Sequence, residues 1–398
     1  MHARPRRRTR GPLFATSAIV ILTATLLGAS AIARGPLASS PTTVAATATS
    51  DDIGTSVADA ARGSTPGSAT LGSVAPDSPA PIGEQAGGSP SAPVVQAPAT
   101  GGRFPGGLLI ADRGNGRLLV VTSTGRPLWR FPTTGSLPPG QAFAADDAFL
   151  APDGKTIVAN DESHNMIDRI DIVTRRVVWQ YGHYGRPGRG PGYLNGPDDA
   201  YPLVNGDIVV ADIKNCRVIE INAAKRIVHQ WGRTGVCVDS APYSYGSPNG
   251  DTPLPDGGLL ITEIHGSRVV RLSATGKVIF DIHVPVAYPS DAHLDAQGNV
   301  IVADYSTIGA VVAVTPHGRL LWRYAPRSGP GRLDHPSLAV PMPDGTIVVN
   351  DDFRARVIVI DPKTMRIVWQ YGRTDVPGRG PGRLFIPDGV DALPVGTL

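Results

Sequence analysis

From about residue 106 to the end, short apolar runs rich in β-branched residues recur along the chain, each ending near a carboxylate. The runs are Leu108-Leu109-Ile110-Ala111, Ile157-Val158-Ala159, Ile208-Val209-Val210-Ala211, Leu259-Leu260-Ile261-Thr262, Val300-Ile301-Val302-Ala303 and Ile347-Val348-Val349. The acids are Asp112, Asp161, Asp212, Glu263, Asp304 and Asp351. Runs of this length bounded by Gly/Asp turns predict strands. Five residues after each acid a third strand opens, at Arg117, Met166, Arg217, Arg268, Gly309 or Arg356. Asp153-Gly154, Asn205-Gly206, Asp256-Gly257 and Asp344-Gly345 supply hairpin turns that need positive φ. An aromatic or imidazole landmark on a fourth strand follows at Trp129, Trp179, His229, Phe280, Trp322 and Trp369. That spacing is the period of a repeat array.

Each repeat therefore reads as a four-stranded antiparallel meander, and six meanders predict an all-β, six-bladed β-propeller over residues 105–398. The first repeat starts at its second strand. The last runs on through Ile386-Pro387-Asp388-Gly389-Val390-Asp391-Ala392-Leu393-Pro394, which matches an innermost strand. The C-terminal segment is expected to complete the first blade and close the ring, leaving only short edges.

Composition divides the remaining chain. The first 104 residues hold eight Arg, no Lys and five Asp/Glu, a net of +3, the same as the whole chain of 398 residues. The repeat region is neutral, which excludes nucleic acid as a partner because phosphate needs a basic stripe. Arg4, Arg6, Arg7, Arg8 and Arg10 precede an uncharged stretch, Gly11 to Ala33. Residues 1–34 thus read as a signal peptide or a single-pass signal anchor, with the propeller outside the cell membrane or secreted. Residues 35–104, rich in Ala, Ser, Thr, Pro and Gly, are expected to be a disordered tether. Contact with the membrane is assigned to the N-terminal segment alone.

The motif Asp212-Ile213-Lys214-Asn215-Cys216-Arg217 and the Gly-rich loop from Tyr181-Gly182 to Pro197 resemble NHL-repeat propellers. The Trp-bearing fourth strands are similar to repeats of PQQ-binding-like propellers. The resemblance spans residues 105–398 and implies the fold. These families include scaffolds, receptors, lyases and dehydrogenases, so it leaves activity open.

Candidate chemistry lies where the inner strands begin. Asp147, Asp199, Asn249, Asp291 and Asp391 are expected to converge at the channel mouth with His293. The carboxylates Asp147, Asp199, Asp291 and Asp391 are hard oxygen donors suited to Ca²⁺. Loops bearing Arg189 and Arg379 would form a basic rim. Cys216 and Cys237 fall in loops of one blade and are expected to pair in an oxidising compartment. Two readings stand. One is a non-catalytic module that binds an envelope protein, peptide or glycan on its top face. The other is a Ca²⁺-assisted hydrolase or lyase, or a quinone-dependent dehydrogenase, with His293 as base.

Overall fold

The structure, a computed structural model, describes residues 102–398. The export segment and all but the last three residues of the tether lie outside the described residues. Six four-stranded antiparallel sheets follow one another as blades. Blades 2 to 6 take four consecutive strands each, with the innermost first. In blade 3 the strands are Pro197–Pro202, Ile208–Asp212, Arg217–Ile221 and Ile227–Gly232. Blade 1 takes its innermost strand, Pro387–Ala392, from the C-terminus. Its partner is Leu108–Asp112, with Leu109 opposite Asp391 and Ile110 opposite Val390. The ring closes as the sequence pattern predicts.

Second strands such as Leu108–Asp112 and Val300–Asp304 are buried at every position, because neighbouring blades cover both faces. Outer strands such as Arg176–Gly182 are mostly half-buried or exposed, with Tyr181 alone buried in this one. Phe104, which the sequence pattern leaves in the tether, is a core residue with its ring 5.0 Å from Trp369. The tryptophans link neighbours. Trp129 donates from Nε1 to the Ile172 carbonyl, Trp179 to Ala223 and Trp369 to Ser123. Each bond reaches the next blade, and the last one crosses the closure.

The acid that ends each second strand staples the loop entering its blade. Ala144, Asn195, Gly246, Ala287 and Asp334 each donate a backbone N–H to Asp161, Asp212, Glu263, Asp304 and Asp351, always seventeen residues ahead. In blade 1 the C-terminal segment supplies the donor, Phe385, to Asp112. The following Arg pairs with the same acid: Arg117 with Asp112, Arg217 with Asp212 and Arg356 with Asp351. Its free nitrogens cap loop carbonyls, as Arg117 does at Arg379 and Arg383. Cys216 and Cys237 form a disulfide with Cα atoms 5.2 Å apart, tying a turn of blade 3 to the loop leaving it. The staples and the disulfide fix the turns and loops around one end of the channel, called the top.

Candidate functional site at the channel mouth

Five inner strands begin with proline, at Pro197, Pro248, Pro289, Pro336 and Pro387. Proline suits a strand start, where no N–H is required of it. The residues just after it are bulged. Register with the second strand slips between Asp198 and Tyr201, Pro248 and Asp251, Pro289 and Ala292, and Pro336 and Ala339. A bulge re-aims side chains and is common beside functional sites. At Asp199 the backbone takes φ +48°, a conformation few non-glycine residues adopt.

Two tiers of polar groups result. The upper tier lines a small mouth pocket of about 80 Å³, built from Arg113, Asp146, Glu162, Asp198, Asn249, Tyr288, Ser290, Tyr305 and Asp388 with Ile213. Arg113 lies across it. Its Nη1 sits 2.8 Å from Asp388 and against Asp146, and its Nη2 lies 3.2 Å from Glu162. Lys214 Nζ lies 3.5 Å from Glu162 on the exposed side, so four carboxylates face two cations, of which Arg113 alone lies across the pocket. Burial outweighs the attraction of Arg113 and holds the Asp146 carboxyl well above the usual carboxylate range. On the opposite side Tyr288, Tyr305, His335 and Phe353 form a run of aromatic rings with centroids 4.5–5.4 Å apart between successive members.

The lower tier is drier. Carboxylate oxygens of Asp147, Asp198 and Asp199 lie within 4.8 Å of one another. Asp251 and Asp291 stand close enough to perturb Asp199, which is 1% exposed. Burial first, then neighbouring carboxylates, raises Asp147, Asp198, Asp199 and Asp251 well above their ordinary values. Among the described residues several of these groups find no hydrogen-bond partner: Oδ1 of Asp147 and of Asp199, both oxygens of Asp251, and the buried Tyr201 hydroxyl. Oxygen donors without thiols match a hard cation such as Ca²⁺.

The sequence-predicted residues divide accordingly. Asp147, Asp199 and Asp291 meet in the lower tier, and Asn249 faces the mouth. Asp391 does not join them. It sits nearer the bottom, accepts the Leu150 N–H at 2.8 Å, and opens on a cleft with Pro394–Thr397. Counting from the strand-opening proline explains this: Asp388, not Asp391, is the counterpart of Asp198. His293 occupies the level of Asp391, not the mouth. Its Nε2 is 2.7 Å from Asp291 Oδ2 but outside hydrogen-bonding alignment. Arg189 is exposed on its loop. Arg379 lies over an outer groove with Trp129 and Tyr371 rather than at the mouth. Sequence reasoning passed over Arg113, Asp198, Asp388, Asp251 and Tyr201. The proline-anchored alignment held the signal for Asp198 and Asp388.

The family described as outer membrane protein assembly factor BamB, a PQQ-like repeat family, matches residues 229–380. No curated protein matches the sequence. A solved protein of unknown function from Bacteroides caccae is similar at 14% identity and TM-score 0.51, over 72% of this chain and 98% of its own. The nidogen/laminin complex structure is similar at 16% identity and TM-score 0.48, with the same coverages. Virginiamycin B lyase from Staphylococcus aureus is similar at 16% identity and TM-score 0.41, over 58% of this chain and 70% of its own. These likenesses concern the fold. The chain is a six-bladed β-propeller whose residues 229–380 are similar to PQQ-like repeats.

Proposed function

We propose that the propeller is a non-catalytic binding module, held outside the membrane or secreted, that receives a polypeptide ligand on its top face. The excess of carboxylates at the mouth carries this reading: among the described residues Asp146, Glu162, Asp198 and Asp388 face Arg113 and, from the exposed rim, Lys214 beside Glu162. A lysine or arginine side chain entering the pocket would supply the missing charge, and the tyrosines beside it offer π-faces to a cation. Top-face turns and loops also carry exposed apolar side chains, Tyr243, Ile308, Phe353 and Phe385 among them, which suit a protein contact. The match to an assembly factor supports a protein ligand. The disulfide suits an oxidising compartment.

The test is binding of the full chain to paired peptides that differ only by lysine or its acetylated form. Lysine peptides should bind more tightly, and Glu162→Gln with Asp388→Asn should reduce that preference about tenfold. Equal binding of both forms would sink the reading.

The enzymatic alternative draws support from the same carboxylates, since acid catalysts need raised pKa values. Turnover of lactones, esters or sugars that disappears in Asp198→Asn would favour a hydrolase or lyase. An anionic quinone is ill matched to four carboxylates and one arginine, so the mouth lends a dehydrogenase no support.

A further inference from the structure

We propose that the throat of the channel binds a divalent cation of the calcium class through Asp147, Asp198 and Asp199. Three oxygens mutually within 4.8 Å leave room for one ion about 2.8 Å or less from each. Calcium–oxygen distances of roughly 2.3–2.6 Å are reached by small side-chain shifts, whereas magnesium's roughly 2.1 Å and strict octahedron would need a contraction of the whole cluster. No thiol lies in the cluster, and the nearby imidazole, His293, sits behind Asp291.

Proximity of carboxylates alone would not make a site. The second observation is the Tyr201 hydroxyl. Tyr201 is 8% exposed, its ring stacks on Phe149 at 3.8 Å, and its oxygen has no hydrogen-bond partner. The charged groups near enough to perturb it are Asp291, Asp199, Asp147 and Asp251. Asp251, fully buried, has the Ala211 N–H beside it, but among the described residues neither of its oxygens takes a hydrogen bond of normal geometry. Buried polar atoms in native proteins are nearly always satisfied, and such a concentration of orphans calls for a ligand. Oxygens of one sign around a shared space are satisfied together by a cation.

The backbone is shaped to leave that space. A Cβ on Gly250 would stand 2.6 Å from Asp291 Oδ1, and one on Gly389 would stand 2.7 Å from Asp147 Oδ1. Any larger residue would displace the carboxylates. Asp147 belongs to blade 2 and Asp198 and Asp199 to blade 3, so the ion acts as a clasp between blades as well as a floor for the mouth. Asp198 is shared with the mouth pocket of the peptide reading, but Asp147 and Asp199 do not line that pocket, so their variants test the ion separately.

The experiment uses the full chain stripped with chelator. Calcium should raise the melting temperature by about 4 °C at a concentration one hundred times its dissociation constant. Terbium, a calcium-sized probe excited through tyrosine, should bind one to one and be displaced by calcium. Asp199→Asn and Asp147→Asn should melt no lower than the wild type without metal, since each relieves repulsion, yet lose the calcium response at least tenfold. If either variant fails to fold, the terbium stoichiometry of the wild type decides. Absence of stoichiometric binding, a response to magnesium but not calcium, or equal calcium stabilisation of wild type and variants would overturn the proposal.

Discussion

Two sets of buried acids sit 12–14 residues from each other in the repeat, as Asp147 and Asp161, Asp199 and Asp212, and Asp251 and Glu263 do, and the protein treats them in opposite ways. Those ending the second strands are saturated. Asp212 takes the Asn195 N–H on one oxygen and Asn215 and Arg217 on the other. Those opening the inner strands are starved. Asp147, Asp199 and Asp251 keep oxygens that take no hydrogen bond of normal geometry among the described residues. Burial is equal in the two sets, so burial cannot separate a structural acid from a functional one. Donor supply can. A carboxylate enclosed by its own loop amide and arginine has no capacity left for a ligand, whereas one aimed at a channel among other carboxylates has little else to do.

The largest effect that could break this contrast comes from Arg356. Its side chain is 1% exposed against a fully buried Asp351, and it also caps the Pro330 and Arg332 carbonyls. Arg356→Ala strands a buried charge and should cost about 3–5 kcal/mol in urea unfolding. Asp199→Asn, measured alongside without metal, should cost nothing. Similar losses in both would show that the two sets are equally structural.

Much of the fold is legible in the amino-acid sequence. Apolar runs mark the strands, the period sets six blades, and the overhanging Pro387–Ala392 implies closure. The acid and the Arg five residues later recur visibly in the pattern, whereas their shared partner, the incoming loop, emerges only in the fold. The site is less accessible for two physical reasons. Alternation along an extended strand sets Asp391 on the face of Asp199. Counted from the opening proline, however, Asp388 is the counterpart of Asp198, Gly389 stands at the Asp199 position, and Asp391 falls further down the strand. Arg113, moreover, arrives from a turn between strands, so its place across the mouth depends on how Asp146, Glu162 and Asp388 are brought together by different blades.

Glu263 sharpens the contrast because it holds a staple position without the usual partner. It accepts the Gly246 N–H at 3.0 Å, but Arg268, five residues on, turns away to Asp281. Burial and then the adjacent Asp239 carboxyl push Glu263 up to about 8. A carboxyl raised in the folded state stabilises fully below its unfolded value, near 4.5, and that contribution is lost as pH climbs towards 8. The wild type should therefore lose a few degrees of melting temperature, on the order of 3 °C, across this window relative to Glu263→Gln. Parallel pH profiles for the two proteins would mean that Glu263 is satisfied like its counterparts.

The smallest effect tests whether satisfaction matters equally between blades. Trp369 donates its indole N–H to the Ser123 carbonyl across the closure, and its ring packs edge-on to Phe104. Trp369→Phe keeps an aromatic ring there and removes the donor. The bond is only partly buried, so water can reach the freed carbonyl and the loss should stay near ~1 kcal/mol. The same replacement at Trp129, whose bond to Ile172 is buried, should cost more because its carbonyl is left dry. Urea midpoints for the two variants provide the comparison. If Trp369→Phe proves the more damaging, the weak point of the ring is the closure itself, and solvent access to the acceptor is not what sets the cost of an unmet hydrogen bond in this propeller.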